Sequence, residues 1–70
     1  MKIKIKLSTI KDVRDFIEIM TLNEIKATAS QGRYVVDARS IMGLFALDLM
    51  SPIELHLEAG DCSVLERFAA

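Results

Sequence analysis

Few side chains in this sequence can act as nucleophiles, phosphate acceptors or metal ligands. Among 70 residues there is one histidine, His56, and one cysteine, Cys62. A single cysteine cannot form an internal disulfide, and one histidine with one cysteine is too small a ligand set for zinc. We therefore expect no metal or other cofactor. A chain without disulfides also suits a reducing cytoplasm.

Two hydroxyl residues stand where helices are expected to begin. Thr9 precedes apolar residues at helical spacing, and Asp12 follows three positions later as in an acidic capping box. Ser40 precedes a short apolar segment in the same way. The pattern predicts an amphipathic helix running to about Leu22, with an apolar face formed by Val13, Phe16, Ile17 and Met20. It also predicts a short helix from Ile41 to about Leu47.

Strand-like alternation of apolar and polar residues fills the segments between these helices. Gln31-Gly32 marks a turn, because glycine accepts positive φ, and Pro52 breaks the chain before the last alternating segment. His56 falls on the solvent side of that segment, so we assign it no catalytic role. The apolar positions of the four predicted strands are Met1, Ile3, Ile5 and Leu7; Ile25, Ala27 and Ala29; Tyr34 to Val36; and Ile53, Leu55 and Leu57.

The predicted element order is β-α-β-β-α-β-α, closed by a short helix that buries Val64, Leu65 and Phe68. Four short strands with helices on one face predict an α+β fold, a two-layer open-faced β-sandwich with a four-stranded antiparallel sheet. The length allows a single domain, residues 1–70.

Composition limits the class of partner. Nine basic residues against ten acidic ones give a net charge of −1, which argues against a strongly basic nucleic-acid-binding surface. No segment has the length and apolarity of a signal peptide or a membrane span, so we expect a cytoplasmic protein without a membrane partner. The charge balance says nothing about which protein could be a partner.

The segment Ala38-Arg-Ser-Ile-Met-Gly-Leu44 carries a family resemblance. Ser-Ile-Met-Gly-Leu resembles the regulatory-serine segment of the HPr phosphocarrier family, in which a serine caps a short apolar helix. The predicted element order fits the HPr-like fold over essentially the whole chain. The resemblance implies binding to proteins of the phosphotransferase or catabolite-control system.

The phosphocarrier motif of that family is absent. HPr proteins carry approximately Gly-Leu-His-Ala-Arg-Pro at the start of the first helix, and the histidine relays a phosphoryl group. The family spacing, counted back from Ser40, places the histidine position at Thr9 and the arginine and proline positions at Lys11 and Asp12. A threonine phosphate is a stable ester, whereas phosphohistidine is labile, and Asp12 adds charge that repels phosphate. We therefore expect a protein that is not an enzyme and not a relay.

The resemblance implies a regulatory role for Ser40. In Gram-positive HPr proteins this serine is phosphorylated by HPr kinase, and the modified protein acts as corepressor for catabolite control protein A. The catabolite-repression HPr proteins likewise lack the histidine and keep the serine. A phosphate at Ser40 would meet free backbone N–H groups at a helix start. The neighbouring apolar residues are the candidate protein-binding surface: Ile41, Met42, Leu44 and Phe45.

Three other interpretations stay open at this point. The chain can be an HPr-fold binding module with an unrelated partner, in which the Ser40 segment serves packing alone. It can be a phosphocarrier that uses an unorthodox acceptor, or a small α+β binding module outside the HPr family. Compared with typical HPr proteins, the last helix is either shorter or cut off at Ala70, and we expect either to weaken the packing of its apolar face.

Overall fold

The computed structural model describes residues 1–70, and its elements follow the predicted order. Where the sequence predicts a final α-helix, the chain forms a 3₁₀ helix. The bounds are Lys2–Ile5 for β1, Ile10–Leu22 for α1, Lys26–Gln31 for β2, Tyr34–Asp37 for β3, Ile41–Phe45 for α2, Ile53–Ala59 for β4 and Cys62–Phe68 for the 3₁₀ helix.

The strands form one antiparallel sheet in the order β1-β4-β2-β3. Along β4 the residues Ile53, Leu55 and Leu57 are buried while His56 between them is exposed. This period of two places one face of the sheet against the core and leaves the other face in solvent. The α+β prediction with an open antiparallel sheet is thus confirmed at the level of architecture.

The first helix begins where its cap predicts. Thr9 is the N-cap, and its Oγ1 accepts a hydrogen bond from the Asp12 backbone N–H at 3.1 Å. The Asp12 carboxylate in turn accepts from the Ser8 N–H at 3.0 Å. The first bond satisfies a backbone donor that a helix start leaves free, and the second fixes the residue that precedes the N-cap. The helix buries Phe16, whose ring meets the ring of Phe68 edge to face at 5.4 Å between centroids.

The second helix is shorter than predicted because its last turn tightens. It ends at Phe45, and Ala46 is its C-cap. The Ala46 N–H donates to both the Met42 and Gly43 carbonyls, and the Leu47 N–H donates to the Leu44 carbonyl at 3.1 Å. Bonds from i+3 to i replace those from i+4 at this end, as is common where an α-helix terminates.

The last helix is a 3₁₀ helix of seven residues, whereas the sequence predicts an ordinary short helix. Its tighter winding rises about 2.0 Å per residue instead of about 1.5 Å, so the same residues span more distance. The extra reach brings the Phe68 carbonyl to the Lys6 N–H at 2.8 Å, beside β1. Leu65 and Phe68 are buried as predicted, and Val64 is partly buried.

Candidate functional site

Ser40 stands at the junction between β3 and α2 and caps the helix as predicted. Its backbone is extended, and its Oγ accepts a hydrogen bond from the Gly43 N–H at 3.1 Å. Its own N–H donates to the Asp37 carbonyl at 3.0 Å. The hydroxyl is therefore held at the start of the helix by an interaction that forms within four residues.

The three residues before Ser40 are fixed by local and long-range bonds. The Asp37 carboxylate accepts from the Arg39 N–H at 2.9 Å, which closes a tight turn. Ala38 is completely buried, and its N–H donates to the Ala27 carbonyl of β2 at 3.1 Å. These contacts anchor the segment leading into Ser40 to the sheet and leave the Arg39 side chain exposed.

Three apolar side chains follow Ser40 at the surface, and we call them the α2 apolar surface: Ile41, Met42 and Phe45. Their exposed fractions are 42%, 77% and 41% respectively. Leu44, which the sequence analysis grouped with them, is completely buried in the core. That part of the prediction is corrected, because in a short amphipathic helix one position of the four must face the sheet. Leu44 holds α2 in place and is not available to a partner.

Thr9, the residue that the resemblance sets at the histidine position of a phosphocarrier, is a helix cap. The Thr9 oxygen is hydrogen-bonded to the backbone of its own helix, and the Asp12 carboxylate folds back over the same turn. The Lys11 ammonium lies 3.3 Å from the Asp15 carboxylate, one helical turn away. The Arg67 guanidinium of the 3₁₀ helix lies 3.4 Å from the same Asp15 oxygen. The Asp15 carboxylate is thus shared by two cations.

His56 lies on the open face of the sheet. It belongs to β4, and it pairs with Lys2 of the neighbouring strand β1 and with Thr28 of the neighbouring strand β2. Its side chain is exposed, as the strand period predicts.

One carboxyl group with a shifted pKa, that of Asp61, lies away from Ser40 in the sequence. The pKa of Asp61 is lowered below its ordinary 3.8, chiefly by the Ser63 backbone N–H, which donates at 2.9 Å, and further by the Ser63 side chain. Asp61 is the N-cap of the 3₁₀ helix. A hydrogen bond that favours the ionised form accounts for the shift, and the group serves the fold.

The Gln31 side chain holds the loop after α2 in place through an interaction that the sequence does not predict. The Gln31 side chain donates to the Asp48 carbonyl and accepts from the Asp48 N–H, both at 2.7 Å. It joins the end of β2 to the loop that follows α2, across 17 positions of sequence. Sequence analysis treats Gln31 as a turn residue, because a contact of this separation leaves no local pattern.

The structure contains neither a cluster of metal-binding side chains nor a membrane-spanning helix. No three of the His, Cys, Asp and Glu side chains come together in a way that could hold a metal ion. None of the helices combines the length and apolarity that crossing a membrane requires.

Compared with protein-family models, curated proteins and solved structures, the chain gives no match in any of the three searches.

Proposed function

We propose that the chain is a non-catalytic HPr-like regulatory module of the bacterial cytoplasm that binds proteins of the phosphotransferase or carbon-regulation machinery. The observation that carries the proposal is the junction at Ser40. A serine whose Oγ caps α2 at 3.1 Å is followed directly by the α2 apolar surface. The β-α-β-β-α-β order and the resemblance of Ser40-Ile-Met-Gly-Leu44 support the same family assignment.

Ser40 is proposed as the regulatory residue and HPr kinase as the enzyme that modifies it. Phosphorylation would add about −1.5 to −2 charges beside Ile41 and Met42, which are exposed. The Gly43 N–H that now donates to Oγ, and the exposed Arg39 next to Ser40, are donors that phosphate oxygens prefer. A charge at the rim of an apolar contact changes which partner surfaces fit it. Catabolite control protein A is the proposed partner of the modified form.

Relay of a phosphoryl group is not part of the proposal. Thr9 occupies the acceptor position, and its oxygen is engaged as a helix cap. The nearby Asp12 carboxylate would repel an incoming phosphate. These groups support a role in binding and regulation.

The modification is tested by incubating the chain with HPr kinase and ATP. We expect a stable mass increase of one phosphate on Ser40, and no increase for Ser40→Ala. Ser8→Ala is the matched control, because Ser8 is exposed and its hydroxyl makes no hydrogen bond within the chain. Absence of label on the folded wild-type chain would remove the regulatory part of the proposal.

The binding surface is tested with the phosphorylated chain and catabolite control protein A. Met42→Ala should weaken binding, since Met42 is the most exposed member of the α2 apolar surface. Leu22→Ala is the control, because Leu22 is equally exposed but lies at the end of α1. Equal effects of the two substitutions would show that α2 is not the contact.

A further inference from the structure

The C-terminal residues bond to one edge strand of the sheet, β1, and not to the other, β3. On the outer side of β1, the Lys6 N–H donates to the Phe68 carbonyl at 2.8 Å, and the Ala70 N–H donates to the Lys4 carbonyl at 3.1 Å. Phe68, at the end of the 3₁₀ helix, and Ala70 therefore cover this edge at Lys4 and Lys6. On the other side, β3 pairs only with β2. No strand of the chain covers the outer edge of β3, where the sheet can accept another strand.

The hydrogen-bond pattern of the hairpin shows which groups of β3 are free. Tyr34 pairs with Gln31 across the two-residue turn, and the Ala38 N–H donates to Ala27 of β2. In an antiparallel ladder the residues that bond to a given neighbour alternate, so the even-numbered residues of β3 face β2. The N–H groups of Val35 and Asp37, and the carbonyl of Val35, consequently point away from the sheet.

The side chains along this edge favour strand addition. Tyr34 and Val35 are 63% and 66% exposed, and both residue types have high β propensity. Natural edges are blunted by very short strands, charged side chains, proline or a bulge. β3 is short, with four residues, and ends in the charged Asp37, but it contains no lysine or proline, and the sheet's one register shift lies between β2 and β4. The edge is thus regular throughout and apolar from Tyr34 to Val36.

We propose that β3 pairs antiparallel with β3 of a second copy of this chain, about a two-fold axis at Val35. The two sheets then join into one sheet of eight strands, since each copy supplies four. Val35 faces Val35 of the second copy and exchanges two backbone hydrogen bonds with it. The Asp37 N–H donates to the Arg33 carbonyl of the other copy, and the symmetry repeats this bond.

The charged residues on either side of Val35 select this register. Arg33 and Asp37 lie two positions on either side of Val35, so the two-fold axis sets each arginine opposite an aspartate of the other copy. The Asp37 carboxylate uses one oxygen, Oδ1, for the Arg39 N–H and has a second oxygen for Arg33. An axis at Arg33 or at Asp37 would oppose like charges, and an axis at Val36 would oppose Arg33 and Arg39. Only the Val35 axis pairs opposite charges at both ends.

The apolar side chains also match in this register. Tyr34 of one copy lies opposite Val36 of the other at a position without backbone hydrogen bonds, where side chains approach most closely. Pairs of an aromatic and a β-branched residue stabilise antiparallel strands. Although α2 packs beside β3, the inference uses the backbone and side chains of β3 and not the α2 apolar surface. It does not depend on the proposed function.

Sedimentation velocity over a concentration series tests the pairing. We expect the average mass to rise from 7.8 kDa toward twice that value as the concentration increases. Val35→Lys places two ammonium groups at the axis and should leave the chain monomeric. Leu22→Lys is the control, since it also replaces an exposed aliphatic side chain with lysine, on α1, and should still dimerise. Circular dichroism checks that both variants are folded.

A charge exchange tests the register itself. Arg33→Glu turns two attractive pairs into repulsive ones and should raise the dissociation constant about tenfold. Asp37→Lys should do the same, and the double variant should restore the affinity because the opposite charges again face each other. Three results would each overturn the proposal. The chain could be a monomer at every concentration, or Val35→Lys could leave the dimer unaffected. The double variant could also dimerise as weakly as the two single changes combined would predict.

Discussion

Gly43 of α2 and Val36 of β3 lie so close that a Cβ atom on Gly43 would come within 3.0 Å of the Val36 Cβ. The same atom would lie 3.3 Å from the Cβ and from the Oγ of Ser40. Glycine at this position therefore lets the helix approach both the edge strand and its own cap. Because Gly43 has no side chain, α2 can pack against β3 while the Ser40 hydroxyl stays in its capping position.

Gly43→Ala should lower the stability of the protein. Alanine favours a helix over glycine by about 1 kcal/mol, whereas overpacking costs about 1–3 kcal/mol. We expect overpacking to prevail, because the Val36 Cβ is attached directly to the sheet backbone and cannot move alone. The free energy of unfolding, measured by urea titration, should fall by about 1 kcal/mol.

Met42→Ala provides the comparison for that measurement. Met42 is adjacent in the sequence but 77% exposed, so its substitution should change the free energy of unfolding by less than about 0.5 kcal/mol. A Gly43→Ala variant as stable as the wild type would mean that α2 can move away from β3 without loss.

Gln31→Glu should destabilise the loop after α2. The substitution keeps the shape of the side chain but replaces the amide that donates to the Asp48 carbonyl at 2.7 Å. A carboxylate there would face a carbonyl oxygen without a proton to share, with an expected loss of about 1–3 kcal/mol. Urea titration measures the loss. Recovery of stability at a pH low enough to protonate the glutamate would confirm this origin, and a loss independent of pH would contradict it.

Ser40→Ala should cost about 0.5–2 kcal/mol of stability through loss of the helix cap. Ser40→Asp should be close to wild type in stability, because aspartate is an equally good cap for the Gly43 N–H. Thermal unfolding separates the two variants. If Ser40 is also regulatory, the aspartate variant changes partner affinity while its stability stays the same; if affinity is unchanged, Ser40 is a cap alone.

Incubation with enzyme I and phosphoenolpyruvate should give no acid-labile phosphate on this chain. Thr9 has no imidazole to form a labile P–N bond, and His56 is on the open face of the sheet, on β4. Mass spectrometry under conditions that preserve phosphohistidine makes the measurement, with a histidine-bearing HPr as positive control. A rapid mass increase on any residue would show that the chain is a carrier after all.

The stability of the chain should depend on the ionisation of Asp61. Because hydrogen bonds from Ser63 lower its pKa in the folded chain, Asp61 stabilises the fold above the ordinary value of 3.8. That contribution is lost as the pH falls below 3.8 through the lowered pKa. An NMR titration of the Asp61 side chain should give a midpoint below 3.8, and Asp61→Asn should remove this part of the acid sensitivity. A midpoint at or above 3.8 would contradict the Ser63 contacts.

Much of the local structure is predictable from the sequence because the interactions that specify it are short in range. The Thr9 and Ser40 caps act over three residues, and both helices begin where those caps predict. The alternation in β4 and the turn at Gly32, whose φ is +60°, are likewise local in origin. The family resemblance and the role of Ser40 rest on the sequence and stay predictions.

Tertiary structure decided the features that depend on distant residues. Alternation shows that β4 has a buried side but not that β4 lies between β1 and β2. Composition marks Leu44 and Met42 as equally apolar, and only the direction from which the sheet approaches α2 buries the first and exposes the second. The Gln31 bonds to Asp48 and the cover over β1 join segments far apart in the chain. Local patterns carry no record of such contacts, because many distant partners satisfy the same hydrogen-bonding and apolar requirements, and the packing of the whole chain selects among them.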